Sequence, residues 1–229
     1  MRSSTWRTLG NTYVLVEPGG PRLDSKAARA LAGATDGALE VLRCSEETLE
    51  LVVWNRDGSR AELSGNGTRI AASWYFERTG AREVRLLVDG RVVSARALDD
   101  GSIEQDLGSV EVGSPETVAG WRVIPVSVGN PHAVVLGDPD EVRRIGPALE
   151  RHPRFPERTN VQVARIDGPG VVSARVWERG VGETPSSGTS AVAVAAATHG
   201  EGEVVVRFPG GELRVVIADG RAALIGPAA

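Results

Sequence analysis

The chain has 229 residues, of which 41% are hydrophobic and 24% are charged, and its formal net charge is −4. This length permits one large domain or two small ones around a buried core, and no run of 18 apolar residues predicts a membrane span. The basic residues are scattered along the chain, which argues against nucleic-acid binding.

The few cysteines and histidines argue against a disulfide-stabilised protein and against a metal-binding protein. The one cysteine, Cys44, rules out an internal disulfide, and His132, His152 and His199 lack the spacing of metal ligands. The chain also has no P-loop and no dinucleotide fingerprint, so we expect neither a metal nor an organic cofactor. The first 13 residues contain no apolar signal segment, and a cytoplasmic location is therefore expected.

Hydrophobic alternation and turn residues predict strands separated by a few helices. The predicted strands are 12–17, 39–43, 49–54, 83–88, 91–98, 121–128, 132–137, 160–166, 171–177, 203–208, 212–218 and 221–226. The predicted helices are 25–32, 68–76, 139–145 and 190–197. Segments 68–76 and 190–197 are apolar almost all round, which is typical of helices enclosed in a core.

The two halves of the chain are built on one plan. Gly10–Val16 resembles Gly129–Val135, and in each half a tryptophan precedes a Ser-Gly pair by ten residues. Such internal similarity indicates duplicated structural units. We therefore predict an α/β (α+β) protein with two pseudo-symmetric domains, each a curved, mostly antiparallel sheet wrapped around a central helix.

The predicted domain boundaries follow from this repeat. The first domain is expected over residues 1–113 and the second over 118–229, with the last strand able to return to the first half. Gly113–Thr117, rich in turn residues, is the predicted link.

Each half carries a Ser-Gly motif immediately before its predicted central helix, Ser64–Thr68 in one and Ser187–Ser190 in the other. Free backbone N–H groups and the helix dipole at such a point favour an anion, for example a substrate carboxylate. One motif alone could be an ordinary helix cap, because Ser and Thr are preferred there. Two matching motifs, each headed by a side chain that can carry a proton, suit two-base acid–base catalysis at an α-carbon.

Four segments, in this order, are similar to the signature segments of diaminopimelate epimerases: WNRDGSRAELSGNGTR, VSVGNPHAVV, FPERTNV and ERGVGETPSSGTS. Weaker similarity at LGNTYVLVE and TDGAL extends the match over most of the chain. The resemblance implies two domains with an active site in the cleft between them, and a homodimer. It also implies cofactor-independent interconversion of LL- and meso-diaminopimelate, on the route to lysine and to cell-wall peptide.

The resemblance also implies roles for individual residues. Four asparagines match positions that hold the distal amino-acid end of the substrate and its backbone groups: Asn11, Asn55, Asn130 and Asn160. Carboxylate-binding loops are matched by Gly65, Asn66, Gly188 and Thr189. Glu178 and Arg179 match a substrate-contacting Glu-Arg pair, while His132 and Glu178 match the supports of the two acid–base residues.

The acid–base positions themselves depart from the family, because Ser64 and Ser187 stand where it has cysteines. A thiol has a reference pKa of about 8.5, whereas an alcohol lies nearer water at about 15.7, a gap on the order of 8–10 kcal/mol against the basic species. Ile70 also stands where family members often have cysteine. The segment Pro185-Ser186-Ser187 differs from the common family pattern by more than a single Cys-to-Ser change. These features favour a natural variant over an engineered double substitution.

Several functions therefore remain open at this stage. The first is an amino-acid epimerase that works with serines, and the second is a catalytically impaired relative that only binds an amino acid. A third is another isomerase or dehydratase reaction of the same fold, as in proline racemase-like proteins. A serine hydrolase is disfavoured because no Gly-x-Ser-x-Gly elbow is present.

Overall fold

A computed structural model describes residues 1–227, which form two compact units. The first unit comprises Met1–Asp106 together with the chain from Ile225 onward, and the second comprises Leu107–Leu224. The boundary along the chain thus lies at residues 106 and 107, and the predicted link 113–117 falls within the second unit.

The first part of the chain forms eight strands and two helices. They are β1 (Ser3–Thr8), β2 (Asn11–Val16), α1 (Ser25–Ala32), β3 (Gly37–Cys44), β4 (Thr48–Asn55), β5 (Arg60–Ala61), α2 (Gly65–Thr79), β6 (Glu83–Val88), β7 (Arg91–Ala97) and β8 (Ser102–Ser109). Parallel pairing joins β2 to β3 and β4 to β6, and the remaining pairings described among these strands are antiparallel.

The rest of the chain repeats this pattern. Its elements are β9 (Glu111–Val112), β10 (Glu116–Val118), β11 (Trp121–Ser127), β12 (Pro131–Leu136), a 3₁₀ helix (Pro139–Glu141), α3 (Val142–Glu150), β13 (Asn160–Gly168), β14 (Val171–Glu178), β15 (Gly182–Thr184), α4 (Gly188–His199), β16 (Gly202–Phe208), β17 (Gly211–Ala218) and β18 (Arg221–Pro227). Here β12 pairs in parallel with β13 and β14 with β16. The predicted mixed α/β class with mostly antiparallel sheets is confirmed.

The four helices play two roles, repeated in each unit. A parallel strand pair needs a long crossover, and α1 lies between β2 and β3 in the chain as α3 does between β12 and β13. The other two helices are the cores of their units. In α2 every residue from Gly65 to Tyr75 is buried, and in α4 every residue from Gly188 to Ala196. The prediction of enclosed helices is therefore confirmed.

Some predicted elements differ from the observed ones. Strand β1 was missed because its sequence, SSTWRT, is almost entirely polar, yet it pairs along its whole length with β2. Strand β8 was missed for the same reason. The helix predicted over 139–145 begins as a 3₁₀ turn and continues as α3 to Glu150. Within residues 1–227, no helix is long and apolar enough to cross a membrane.

Candidate active site

In the first unit, sheet register gathers residues from three motifs into one row. Tyr13 pairs with Gly37 across the parallel strands β2 and β3, and Gly37 pairs with Asn55 across β3 and β4. Asn11 opens β2 two residues before Tyr13 and is 2% exposed. Pairing between strands thus brings together segments that are far apart in sequence.

The amides of Asn11 and Asn55 have local partners. The Nδ2 of Asn11 lies 3.4 Å from the Leu9 carbonyl oxygen. The Nδ2 of Asn55 donates to the Ser59 hydroxyl at 3.0 Å, within the turn in which the Gly58 N–H donates to the Asn55 carbonyl. Asn55 therefore shapes a turn as well as ending β4.

Gly37 is required by the packing around it. A Cβ at this position would lie 2.3 Å from the Trp54 carbonyl oxygen and 2.9 Å from Cε1 of Tyr13. Both distances are far below van der Waals contact, so only glycine allows this approach. The absence of a side chain at Gly37 leaves the space that the Tyr13 ring occupies.

Ser64 is the N-cap of α2, as its motif predicts. Its backbone is extended, with φ −135°, and its hydroxyl accepts a hydrogen bond of 3.0 Å from the N–H of Gly67. The hydroxyl also lies 3.2 Å from the phenol oxygen of Tyr13, and either oxygen can donate. Sequence reasoning did not single out Tyr13, although the repeat aligns it with His132.

The first turns of α2 contain a buried charged residue, although the sequence predicts this helix to be apolar almost all round. Arg69 is 0% exposed, and it donates to the Gly65 carbonyl at 3.2 Å and to Oδ1 of Asn66. Its Nε has no hydrogen-bond partner, and no carboxylate among residues 1–227 forms an ion pair with it. Burial lowers the pKa of Arg69 to about 10, so the guanidinium is still protonated at neutral pH.

In the second unit, the same row is formed by other residue types. His132 pairs with Asn160 across the parallel strands β12 and β13. Across β13 and β14, Val161 pairs with Trp177, which brings Glu178 to the end of the same row. The residues that correspond to Tyr13, Gly37 and Asn55 are thus a histidine, an asparagine and a glutamate.

His132 is held in a buried hydrogen-bond network. Its Nδ1 lies 2.9 Å from the amide nitrogen of Gln162, and its Nε2 lies 2.9 Å from Oδ1 of Asn130. Because an amide nitrogen only donates, the ring proton belongs on Nε2 and is donated to Asn130. Burial above all, with the nearby charge of Arg179 adding to it, lowers the pKa of His132 to about 3. The imidazole is therefore neutral, and both of its nitrogens are occupied.

The network continues from His132 to the start of α4. Gln162 donates a second hydrogen bond, 2.9 Å long, to the hydroxyl of Ser190. The Nδ2 of Asn130 lies 3.5 Å from the hydroxyl of Thr189. The histidine thereby orients the amide of Asn130 beside the Ser-Gly motif.

The predicted Glu-Arg pair is anchored by Asn160. The Nδ2 of this asparagine donates to the Pro131 carbonyl at 3.0 Å, and its Oδ1 accepts from the backbone N–H of Arg179 at 3.0 Å. The carboxylate of Glu178 accepts a 2.5 Å hydrogen bond from the hydroxyl of Thr184. Asn160, Glu178 and Arg179 are therefore brought together by the structure.

Ser187 is the N-cap of α4 but differs from Ser64 in its bonding. Its backbone is also extended, with φ −149°, and it is 7% exposed. Its side chain forms no capping hydrogen bond with the helix. The following residues, Gly188 and Thr189, are buried.

In each unit, a buried glutamate accepts a hydrogen bond from the tryptophan that precedes the Ser-Gly pair by ten residues. Neither glutamate was predicted from the sequence. Glu40 is 5% exposed and accepts hydrogen bonds from the indole of Trp54 at 3.0 Å and from the Leu23 N–H at 2.9 Å. A buried carboxylate needs such donors to offset its desolvation.

Glu150 does the same in the second unit. It is 3% exposed and accepts from the indole of Trp177 at 2.9 Å and from the Gly180 N–H at 2.9 Å. Arg158 lies 3.6 Å away on the same carboxylate. Glu40 lies on a strand and Glu150 ends a helix. Glu40 precedes its tryptophan by 14 residues and Glu150 by 27, so the internal repeat does not align the two glutamates.

No group of three or more His, Cys, Asp or Glu side chains within residues 1–227 is arranged to hold a metal ion. The motif residues of each unit instead carry hydroxyls and amides, with Tyr13 and Arg69 in the first unit and His132, Glu178 and Arg179 in the second.

Comparison with known proteins agrees with this architecture. A family model described as diaminopimelate epimerase matches residues 124–228. The diaminopimelate epimerase of Desulforudis audaxviator is 36% identical over 96% of this chain and 93% of its own length. Among solved structures, a protein described as a predicted epimerase from Pseudomonas aeruginosa has a TM-score of 0.76 at 16% identity, covering 99% of this chain and 95% of its own. A hydroxyproline epimerase from Agrobacterium vitis has a TM-score of 0.69 at 15% identity, covering 98% and 87%.

The chain therefore has the fold of these solved structures. It belongs to the diaminopimelate epimerase family, a family of isomerases, as the identity to its curated relatives shows.

Proposed function

We propose that this protein interconverts LL- and meso-diaminopimelate without a cofactor, with Ser64 and Ser187 as its two acid–base residues. The substrate is suggested by the relatives, several of which carry the name diaminopimelate epimerase at 31–36% identity over nearly the whole chain. Such a reaction supplies precursors for lysine and peptidoglycan.

The observation that carries the proposal is the matched position of two hydroxyls. Ser64 precedes α2 and Ser187 precedes α4, both with extended backbones, and the residues that follow each serine in its helix are buried to Tyr75 and to Ala196. Inversion at an α-carbon needs one group that removes the proton and a second that returns it on the opposite face. Each serine is proposed to fill one of these roles.

The helix starts contribute electrostatic stabilisation. Removal of the α-proton places negative charge on the substrate carboxylate, and the N–H groups of Gly65, Asn66, Gly188 and Thr189 are proposed to hold it. Helix N-termini carry partial positive charge, and donors already in place need no reorganisation during the reaction. The buried charge of Arg69 adds to this field.

The remaining residues are proposed to recognise the substrate. Asn160 fixes the backbone of Arg179 at 3.0 Å, and Glu178 lies beside it, so that a carboxylate and a guanidinium can meet an amino acid's ammonium and carboxylate groups. Asn130 is oriented by neutral His132, which is therefore proposed as a positioning residue and not as a base. Asn11 and Asn55 are proposed to contact the substrate from the first unit.

Proton exchange tests the proposal directly. The protein is incubated with LL-diaminopimelate in deuterated water, and α-deuteration and meso product are followed by NMR and chiral chromatography. Deuterium incorporation together with meso product supports the epimerase. A protein that binds the ligand saturably but incorporates no deuterium contradicts it.

A second candidate is favoured by one observation, the replacement of both thiols by alcohols. A protein with an intact amino-acid pocket and no competent base would bind diaminopimelate, or another amino acid, without turnover. Isothermal titration with LL- and meso-diaminopimelate and with hydroxyproline, alongside the exchange assay, separates the two candidates.

The cytoplasm and a homodimeric state are proposed on the resemblance to the family. Light scattering coupled to size exclusion measures the mass, for which a dimer predicts twice the 24.1 kDa of the chain. A monomer at working concentration contradicts the dimer without affecting the proposed reaction.

A further inference from the structure

We infer that Tyr13 exchanges protons with the Ser64 hydroxyl, so that a phenol supplies the acid–base capacity that the serine lacks. The inference rests on the proposed function and adds a relay residue to it. Tyr13 acts through Ser64 and is therefore a positioning and proton-carrying residue.

The geometry allows direct transfer between the two oxygens. Tyr13 Oη lies 3.2 Å from Ser64 Oγ, while the Gly67 N–H donates to the same Oγ at 3.0 Å. A hydroxyl has one proton and two acceptor sites. After Gly67 takes one acceptor site, Ser64 still has a proton and a site to share with Tyr13.

The placement of Tyr13 is built into the sheet. Its neighbour in the register is Gly37, where a Cβ would come within 2.9 Å of the Tyr13 ring. Any other residue at Gly37 would displace the ring. The glycine and the tyrosine therefore form a matched pair that points the phenol toward the start of α2.

A phenol loses its proton at a far lower pH than an alcohol does, so a phenolate is available as a proton acceptor where an alkoxide is not. The reference pKa of tyrosine is about 10, roughly five to six units below that of water, which an aliphatic alcohol approaches. The phenol thus restores much of the acidity lost when the thiol of the family is replaced by Ser64. Serine alone would have to hold the full negative charge.

A buried cation lies where it can stabilise that charge on the phenol oxygen. Arg69 is 0% exposed and has no carboxylate ion pair among the residues described, and the charge of Tyr13 interacts favourably with it. Burial lowers the pKa of Arg69 to about 10 but leaves it protonated at neutral pH. A cation in a low-dielectric surrounding favours a nearby anion more than it would in water.

The step balances as follows. The α-carbon–hydrogen bond breaks, its proton forms a bond with Ser64 Oγ, and the electron pair remains on the substrate, delocalised toward the carboxylate. The original Ser64 proton passes at the same time to the phenolate oxygen of Tyr13, which becomes neutral. In the reverse direction Ser64 donates its proton to the α-carbon, and Tyr13 re-protonates Ser64 and becomes phenolate.

The equivalent residue in the second unit cannot do the same. His132 occupies the position of Tyr13 in the repeat, but both of its nitrogens are bonded, one to Gln162 and one to Asn130. The relay therefore belongs to the Ser64 side of the reaction.

A double-mutant cycle tests the inference. In the protein as it stands, Tyr13→Phe is expected to lower kcat for α-proton exchange by about 10²-fold or more with little change in KM. In the Ser64→Cys background, the thiol has its own acidity, and Tyr13→Phe is expected to cost less than about threefold. An equal loss in both backgrounds, or no loss in either, overturns the relay, because a purely structural role would not depend on the group at position 64.

Tyr75→Phe is the matched control, since Tyr75 is the only other tyrosine and its hydroxyl donates to the Ser45 and Glu46 carbonyls. It is expected to leave exchange unchanged. Tyr75→Phe also leaves Tyr13 as the single phenol, whose ionisation is then read from its near-ultraviolet absorbance without any turnover. Adding Ser64→Ala should move phenolate formation to higher pH, because the serine hydrogen bond favours the anion.

The two kinds of failure are distinguishable. Unchanged phenol ionisation on Ser64→Ala overturns the relay whether or not the protein is active. Coupled ionisation in a protein that exchanges no α-proton contradicts the proposed function and, with it, the relay's part in that reaction.

Discussion

The two units share a topology but differ at the corresponding hydroxyls. Ser64 caps its helix through Gly67 and shares a hydrogen bond with Tyr13, whereas Ser187 makes no capping bond. At the row position of Tyr13, the second unit has His132, fully engaged by an amide on each side. The strand pairing and the helix start thus recur in both units, while the groups around the two hydroxyls differ. The two positions are therefore expected to respond differently when a thiol replaces each hydroxyl.

Removal of either hydroxyl should have the largest effect. Ser64→Ala and Ser187→Ala are each expected to lower α-proton exchange by about 10²- to 10⁴-fold, because a positioned acid–base group contributes on this scale. Deuterium incorporation measured by NMR checks this. Ser173→Ala is the control, since Ser173 belongs to neither motif and its hydroxyl, on β14, donates a hydrogen bond to the carboxylate of Asp167 on β13. A variant of either motif serine that keeps most of the activity would remove that serine from the reaction.

Replacing each motif serine by cysteine should change the rate by different amounts at the two positions. Ser187→Cys is expected to raise the rate by about 10²-fold or more, because a thiolate forms far more readily than an alkoxide. Ser64→Cys is expected to gain less than about tenfold, because Tyr13 already recovers part of the missing acidity. Initial rates from LL- and from meso-diaminopimelate give both values. Equal gains at the two positions would show that the asymmetry of the hydrogen bonds has no catalytic counterpart.

The free energy of unfolding should fall at acid pH because of His132 in the second unit. The pKa of His132 is lowered from 6.5 to about 3 in the folded protein, so the unfolded chain binds the proton more readily between these values. The stability that this residue contributes is therefore complete above pH 6.5 and is lost as the pH falls toward 3. By pH 4.5 the loss is on the order of 2–3 kcal/mol, at 1.36 kcal/mol for each pH unit.

Urea unfolding at pH 7 and at pH 4.5 measures this loss. His132→Gln should reduce the fall in the free energy of unfolding between the two pH values by that amount. An identical pH dependence in the parent protein and in His132→Gln would contradict a neutral buried His132.

The buried glutamates offer a smaller, paired comparison. Glu40→Gln and Glu150→Gln are each expected to destabilise by about 1–3 kcal/mol, since each exchanges a charged acceptor of two hydrogen bonds for a neutral amide. Only Glu150→Gln should also raise KM by a few-fold, because Glu150 holds the Gly180 N–H next to Arg179. Thermal unfolding and steady-state kinetics test both. A rise in KM for Glu40→Gln alone would reverse the assignment.

Some features of this protein were readable from its residues because they depend on local pattern. The apolar character of the two central helices predicted their burial, and the extended N-caps at Ser64 and Ser187 follow from Ser-Gly at a helix start. Prediction from local pattern failed where contacts with distant parts of the chain determine the structure. The polar strand β1 is ordered by its pairing with β2. Arg69 is buried in a helix that its sequence predicts to be apolar. No residue-by-residue signal marks such cases.

The sequence by itself determined the repeat, the family, the central helices and the residue types at the start of each. Only the tertiary structure decided that Tyr13 meets Ser64, that His132 is neutral with both nitrogens bonded, and that Glu40 and Glu150 hold the two tryptophans. The physical reason is that helix capping and hydrophobic periodicity act over a few neighbouring residues. Hydrogen-bond partners and buried charges depend instead on strand register and packing between residues far apart in the chain.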